Sequence, residues 1–260
     1  MLNANNPAVN LATRSFLWGL NSDERGLDDD DIRQLITAVE RVKAVSPSGW
    51  VFLLSRALGA SHVDAMEAGS FAELYYAMCS FTDDVQDGDA AEYMEEQDPR
   101  LLINTLAQLI CVTVVRGERF ISQIGDGPAG TLTISSAFLD GAVMLRGQRL
   151  ELLRESWSTL FYQKVADLSA GRQFDVYFKA AALAAGVSAE PLLHLSNPIG
   201  LLVQVAQDRL SNDERLLQLP EDEMTAVINA AKEELRGAAA RVQAEARPVI
   251  HGMMEYALSL

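Results

Sequence analysis

Apolar residues recur at helical spacing from residue 11 to the end of the chain. The breaks between these runs are short and carry Gly or Pro, and no stretch alternates β-branched residues with a period of two. The pattern predicts an all-α fold. Helices are expected over about 11–20, from the acidic run Asp28–Asp31 to about 45, from Ser46-Pro47 to about 59, and over 63–87, where Gly88-Asp89 stops the chain. Asp98-Pro99 caps a helix to about 121, and Gly125-Asp126-Gly127-Pro128 is a clear break. Helices over about 130–154, 157–185, 189–210 (kinked at Pro198), 221–245 and 248–258 complete the chain, the last two divided by Pro248. Hydrophobic residues make up 49% of 260 positions, enough for a sizeable core. With no repeat and no low-complexity linker, residues 1–260 are expected to form a single-domain multi-helix bundle around a central cavity.

The net charge of −15 excludes nucleic acid as a partner, because its phosphates would be repelled. A chain this acidic needs local cations to handle a phosphorylated ligand, most simply metal ions. Cys79 and Cys111 lie in apolar helical patterns and are expected to be buried, reduced thiols, which fits the cytoplasm. Residues 1–9 lack a basic segment followed by an apolar one, so no signal peptide is expected. No run of about 18 apolar residues is evident, so no membrane span is expected either. The acidic run Asp28–Asp31 invites a metal reading, but acidic residues at a helix N-terminus complement the dipole, and that reading is preferred.

Asp83, Asp84 and Asp87 are the chemically pointed group. They stand at i, i+1 and i+4 at the C-terminal end of a helix that is apolar nearly all round, from Phe71 to Phe81. Asp83 and Asp87 share a face and Asp84 sits about a quarter turn away. No Lys or Arg stands at helical spacing to offset their repulsion. A cation is therefore expected there, and Mg²⁺ suits an all-oxygen donor set completed by water and substrate phosphate. An exposed acidic helix end is the plainer alternative.

The segment resembles the first aspartate-rich motif of the trans-isoprenyl diphosphate synthases and class I terpene synthases. Further pieces follow in that superfamily's order. Gly147-Gln148-Arg149-Leu150-Glu151-Leu152 resembles its GQxxDL element, Lys164-Val165-Ala166-Asp167-Leu168 its KTxxL element, and Gly200 to Ser211 its GxxFQxxDDxxD element. The resemblance spans about residues 45–215 and implies an isoprenoid-synthase-type bundle. It implies that Asp83, Asp84 and Asp87 are catalytic and hold Mg²⁺ with help from Asp208. It further implies that Lys164 contacts the diphosphate, and that Gln148, Glu151, Gln204 and Arg209 bind substrate. Loss of the neutralised diphosphate would ionise an allylic C–O bond.

The chain departs from that pattern twice. Of the three aspartates expected after Gln204, only Asp208 remains; Gln207 and Ser211 stand where a terpene cyclase places Asn and Ser, and Arg215 occupies the place of the acidic third member. The basic elements with which elongating synthases grip isopentenyl diphosphate are also missing. Ser46 to Trp50 holds no cation, and none follows Asp87 before Arg100. Arg56 and His62 lie nearby, Arg56 more plausibly as a snorkelling or paired arginine; His194 and His251 have no metal-ligand spacing. The expected function is a Mg²⁺-dependent prenyltransferase that takes an allylic prenyl diphosphate and a lipid-like or small-molecule acceptor. Length, sparse cations and the spacing from Gln148 to Tyr162 are similar to the moenomycin-type prenyltransferases, which prenylate a lipid-linked acceptor. A class I terpene cyclase and a non-catalytic partner subunit are the alternatives; 7% aromatics disfavours the first and the intact first motif the second. A homodimer is the expected assembly.

Overall fold

The computed structural model describes residues 6–21, 27–42, 47–92, 94, 98–125, 132–153, 156–211 and 213–259. Ser46, Tyr93, Glu95, Glu96 and the break residues Asp126 to Pro128 lie outside the described residues. The described residues are helical and include no strand. By residue contacts the chain falls into two units, 2–127 and 128–260.

The first unit holds α1 (Pro7–Asn21), α2 (Asp29–Val42), α3 (Ser48–Ala57), α4 (His62–Asp87) and α5 (Pro99–Ile124). Asp28 accepts from the backbone N–H groups of Asp30 and Asp31 (2.8 and 2.9 Å), so the acidic run is a helix start. α4 is the centre, touching α1, α2, α3 and α5. Ser61 caps its start and Gly88, at φ 88°, its end. Phe71, Leu74, Tyr75 and Phe81 on it are fully buried, as all-round apolarity requires. Gly69 is where α1 and α3 come closest: a Cβ there would lie 2.8 Å from Val9 and 3.1 Å from the Ser48 carbonyl oxygen.

α5 corrects two expectations. It carries a stretch of mean hydropathy 1.4, long and apolar enough to cross a membrane by length and composition, of which 39% is buried. Its polar members are uncharged amides and hydroxyls, except for Arg100, Arg116, Glu118 and Arg119, so the sequence pattern hid the run. Arg116 pairs with Glu67 of α4 at 2.8 Å and lies over the Phe16 ring, which ties this helix into the unit. Cys79 is buried, but Cys111 is exposed, on the outer side of α5 with Leu101, Ile103 and Ile110. Apolar spacing alone did not reveal that this helix is apolar on its open side too.

The second unit holds α6 (Ile134–Leu152), α7 (Thr159–Ala166), a π segment (Asp167–Gly171), α8 (Arg172–Ala185), α9 (Glu190–Leu193), α10 (Ser196–Ser211), α11 (Glu214–Leu217), α12 (Glu221–Ala239) and α13 (Arg247–Ser259). The helix expected over 157–185 is thus opened by a π turn, a form often found at functional positions. The expected kink at Pro198 is instead a break at His194-Leu195, which places Pro198 in the first turn of α10, where its missing N–H costs nothing. Pro248 likewise lies in the first turn of α13.

Two glycines fix the π segment. A Cβ on Gly200 would fall 2.5 Å from the Gly171 nitrogen and 2.8 Å from the Ala170 carbonyl carbon. A Cβ on Gly147 would fall 3.1 Å from the Leu168 Cβ. The segment is therefore held between α6 and α10. Lys179 donates to Asp140 at 2.5 Å, adding a half-buried ion pair between α8 and α6. Gly200→Ala is expected to lower the unfolding free energy by about 1–3 kcal/mol, the usual cost of overpacking, because backbone rather than a flexible side chain blocks the methyl. Urea unfolding checks this; an unchanged midpoint would show that the contact is not tight.

Candidate functional site

Each unit carries one polar group of interest. In the first, α4 ends in Asp83, Asp84 and Asp87, of which Asp83 and Asp87 are exposed and Asp84 is half-buried. Thr82 donates to the Met78 carbonyl at 2.7 Å, so the last turn remains regular helix. No basic residue lies in that turn, and three carboxylates therefore add to the negative end of the helix dipole. A 3₁₀ turn, Asp89–Glu92, follows with two more acidic residues. Carboxylate oxygens are the donor type that Mg²⁺ prefers, one or two of them commonly being completed by water and phosphate. Among the described residues no three His, Cys, Asp or Glu side chains come together as a group that could hold a metal ion.

The basic candidates of this unit have structural roles, and Arg56 and His62 lie by the start of α4, at the opposite end of the helix from Asp83, Asp84 and Asp87. The Arg56 guanidinium donates to the Ala60 carbonyl and closes the end of α3. His62 opens α4, its ring edge-on to Phe52 at 5.4 Å. Arg100 pairs with Asp98, the cap of α5. Ser48, Gly49 and Trp50 are buried in the first turn of α3.

In the second unit, Gly200, Gln204 and Asp208 follow one another at i, i+4 and i+8 on α10. The contact at Gly200 therefore sets the position of the other two. Asp208 is buried, and its carboxylate accepts from the Tyr162 hydroxyl at 2.6 Å and the Gln204 amide at 2.8 Å. On α6, Asp140, Met144, Gly147 and Glu151 line one stripe. Glu151 forms an ion pair with Arg215 of α11. Arg215 also donates through Nε to Asp213 at 2.7 Å and lies over the Trp157 ring, 5.7 Å from its centroid. Trp157 in turn stands edge-on to Tyr162 at 6.2 Å. One chain of contacts thus runs from α6 through α11 and α7 to α10.

The structure joins Gln204 to Asp208 directly and gives Glu151 a partner within the protein. Gln148 is half-buried on α6, whereas Lys164 on α7 and Arg209 on α10 are exposed. Gln207 is half-buried, and the Ser211 hydroxyl turns back to the Asp208 carbonyl at 3.3 Å. Sequence reasoning missed Trp157, Tyr162 and Asp213 as members of the group. Only Asp213 left a local signal, the Asp-x-Arg start of a short helix whose Arg215 N–H it caps.

Burial pushes Asp208 up to about 6, against the pull of its hydrogen bonds from Tyr162 and Gln204. The Tyr162 phenol is pushed up by burial and by the Asp208 charge, so it remains a donor. An Asp with a raised folded pKa binds its proton more tightly folded than unfolded. Its contribution to stability therefore falls as pH rises from the ordinary carboxylate range to about 6, and is constant above. Asn at 208 can accept from Gln204 and donate to the Tyr162 oxygen. Asp208→Asn is therefore expected to be more stable than wild type above pH 6, by about 2–3 kcal/mol, with the gap shrinking as pH falls below 6. Thermal unfolding of both chains at pH 7.5 and pH 5 checks the sign; a gap that widens at pH 5 would overturn it.

No family model and no curated protein matches the sequence. Solved structures do match. A geranyltranstransferase from Thermotoga maritima superposes with TM-score 0.74 at 11% identity, over 97% of each chain. A geranylgeranyl pyrophosphate synthetase from the archaeon Geoglobus acetivorans gives TM-score 0.73 at 14% identity, over 100% of this chain and 99% of that one. The small subunit of geranyl diphosphate synthase from Antirrhinum majus gives TM-score 0.66 at 15% identity, over 96% and 99%. At such identities the likeness carries architecture, and this chain has the all-helical fold of the trans-isoprenyl diphosphate synthases.

Proposed function

We propose that this chain is a Mg²⁺-dependent prenyltransferase that ionises an allylic isoprenyl diphosphate and passes the prenyl group to an acceptor other than isopentenyl diphosphate. The observation that carries the reading is the end of α4: three carboxylates and no basic residue at the negative end of a helix, in a fold whose solved examples include a geranyltranstransferase. Mg²⁺ held there supplies the positive charge that a departing diphosphate requires. Asp83, Asp84 and Asp87 hold the ion. Lys164 and Arg209 are exposed cations of the second unit, of the kind that donate to diphosphate oxygens. Glu151 orders Arg215 and is withdrawn from substrate.

The acceptor part of the reading rests on cations that are spoken for. A doubly charged diphosphate acceptor needs Arg or Lys partners. Ser48, Gly49 and Trp50 at the start of α3 are uncharged and buried, and Arg100, the first cation in sequence after Asp87, pairs with Asp98. A lipid-like or small-molecule acceptor makes no such demand.

The similarity to a synthase small subunit favours one competing reading, a partner subunit without activity of its own. One assay separates them. The chain alone is incubated with Mg²⁺ and geranyl, farnesyl or geranylgeranyl diphosphate, with and without isopentenyl diphosphate, and both diphosphate release and prenyl products are followed. Diphosphate release is expected, with little product five carbons longer, and Asp83→Ala or Asp87→Ala is expected to slow it at least about 10²-fold. No release from any of the three substrates would favour the subunit reading, and rapid chain elongation would restore isopentenyl diphosphate as acceptor.

The exposed apolar residues Ile103, Ile110 and Cys111 of α5 support a homodimer, since exposed apolar side chains are often covered at an interface. Sedimentation equilibrium is expected to give twice the chain mass of 28.4 kDa; a single-chain mass at micromolar concentration would remove the dimer.

A further inference from the structure

Glu151 on α6, Asp208 on α10 and Asp213 at the cap of α11 are three carboxylates of the second unit, and the chain from Gly200 to Ser211 resembles a metal-binding element. The side chains themselves do not fit a metal. The Glu151 and Asp213 carboxylates both hold the Arg215 guanidinium, which the Trp157 ring covers on one face. The Asp208 carboxylate is buried and takes one hydrogen bond on each oxygen, from Tyr162 and from Gln204. Asp213 also caps α11 through the Arg215 N–H, so it is anchored to the residue it neutralises. Mg²⁺ binding would require two carboxylates to leave an arginine, which stays charged at any working pH.

We propose that Arg215 takes the place of a divalent cation in this cluster, so that the second unit holds its acidic residues together without metal and Mg²⁺ is confined to Asp83, Asp84 and Asp87. A guanidinium suits this position for a physical reason. Its planar fork reaches two carboxylates at once and its face stacks on an indole, neither of which an ammonium does as well. A protein-borne cation is also present before any ligand arrives, whereas a Mg²⁺ shared with phosphate arrives with it. The inference rests on the reading of α4 as the metal-holding end, and the test separates the two.

The test counts Mn²⁺ bound to the full-length chain by electron paramagnetic resonance, in the presence of inorganic diphosphate. Wild type is expected to take up Mn²⁺ at micromolar free ion, and Asp83→Asn with Asp87→Asn to lose that uptake. A wild type that binds none would count against the α4 reading and leave the proposal to the remaining arms. In the doubly substituted background the second cluster is expected to stay silent. Residual uptake there that Asp208→Asn or Glu151→Gln removes would overturn the proposal. Adding Arg215→Gln to that background is expected to create Mn²⁺ uptake, which Glu151→Gln then abolishes. A folded Arg215→Gln chain that takes up no Mn²⁺ would show that the arginine does not fill a cation's place. Should that variant fail to fold, Asp208→Asn in the otherwise unchanged chain still decides: bound Mn²⁺ per chain is expected to be unaltered, and its loss would overturn the proposal.

Discussion

The second unit is arranged around a contact between two backbones. Gly200 of α10 lies so close to Ala170 and Gly171 that no side-chain carbon fits between them. α10 also touches α7, α8, α12 and α13, so this approach sets the depth at which the central helix sits. Gln204 and Asp208 follow one and two turns further along the same helix, and their meeting with Tyr162 is fixed by the same contact. Gly147 does the same work on the α6 side, four residues before Glu151. The glycines that open two of the motif-like segments are therefore packing residues, and the polar members are positioned through them.

The first unit solves a different problem. α4 is buried along most of its length and must still present charge at one end. Exposure begins at the last turn, where Phe81 is buried and Asp83 is not. Gly88 then turns the chain away in a left-handed conformation that costs a glycine nothing. The result is a rigid apolar shaft with an acidic tip that no lysine or arginine of its own last turn neutralises.

Local signals made much of this legible. α4 is bounded to within a residue by its apolar run and Gly stop. The acidic start of α2 is legible because carboxylates at a helix N-terminus complement its dipole. What escaped was non-local or ambiguous in phase. The Glu151–Arg215 pair joins residues far apart in sequence, and no pattern around Arg215 announces an acidic partner on α6. Cys111 sits among apolar neighbours at helical spacing, yet α5 is apolar on more than one side, and periodicity cannot say which side is open. The sequence predicts one helix kinked at Pro198, whereas proline is easily accommodated within a first turn, and the chain breaks earlier.

The π segment leaves a mark on how this sequence varies. A π turn amounts to an extra residue in a helix, and each residue of α-helix advances the chain by about 100°. Tyr162 before the segment faces Asp208 on α10, and Lys179 after it faces Asp140 on α6. The two halves hold separate partner sets at a phase that an uninterrupted helix of the same length would not give. A comparison with a straight-helix relative must therefore open a one-residue gap within Asp167–Gly171, or every later position of α8 is matched to the wrong neighbour. Gain or loss of a single codon there is a step by which descendants of one ancestor can turn one half of the helix against the other while leaving both sets of side chains intact.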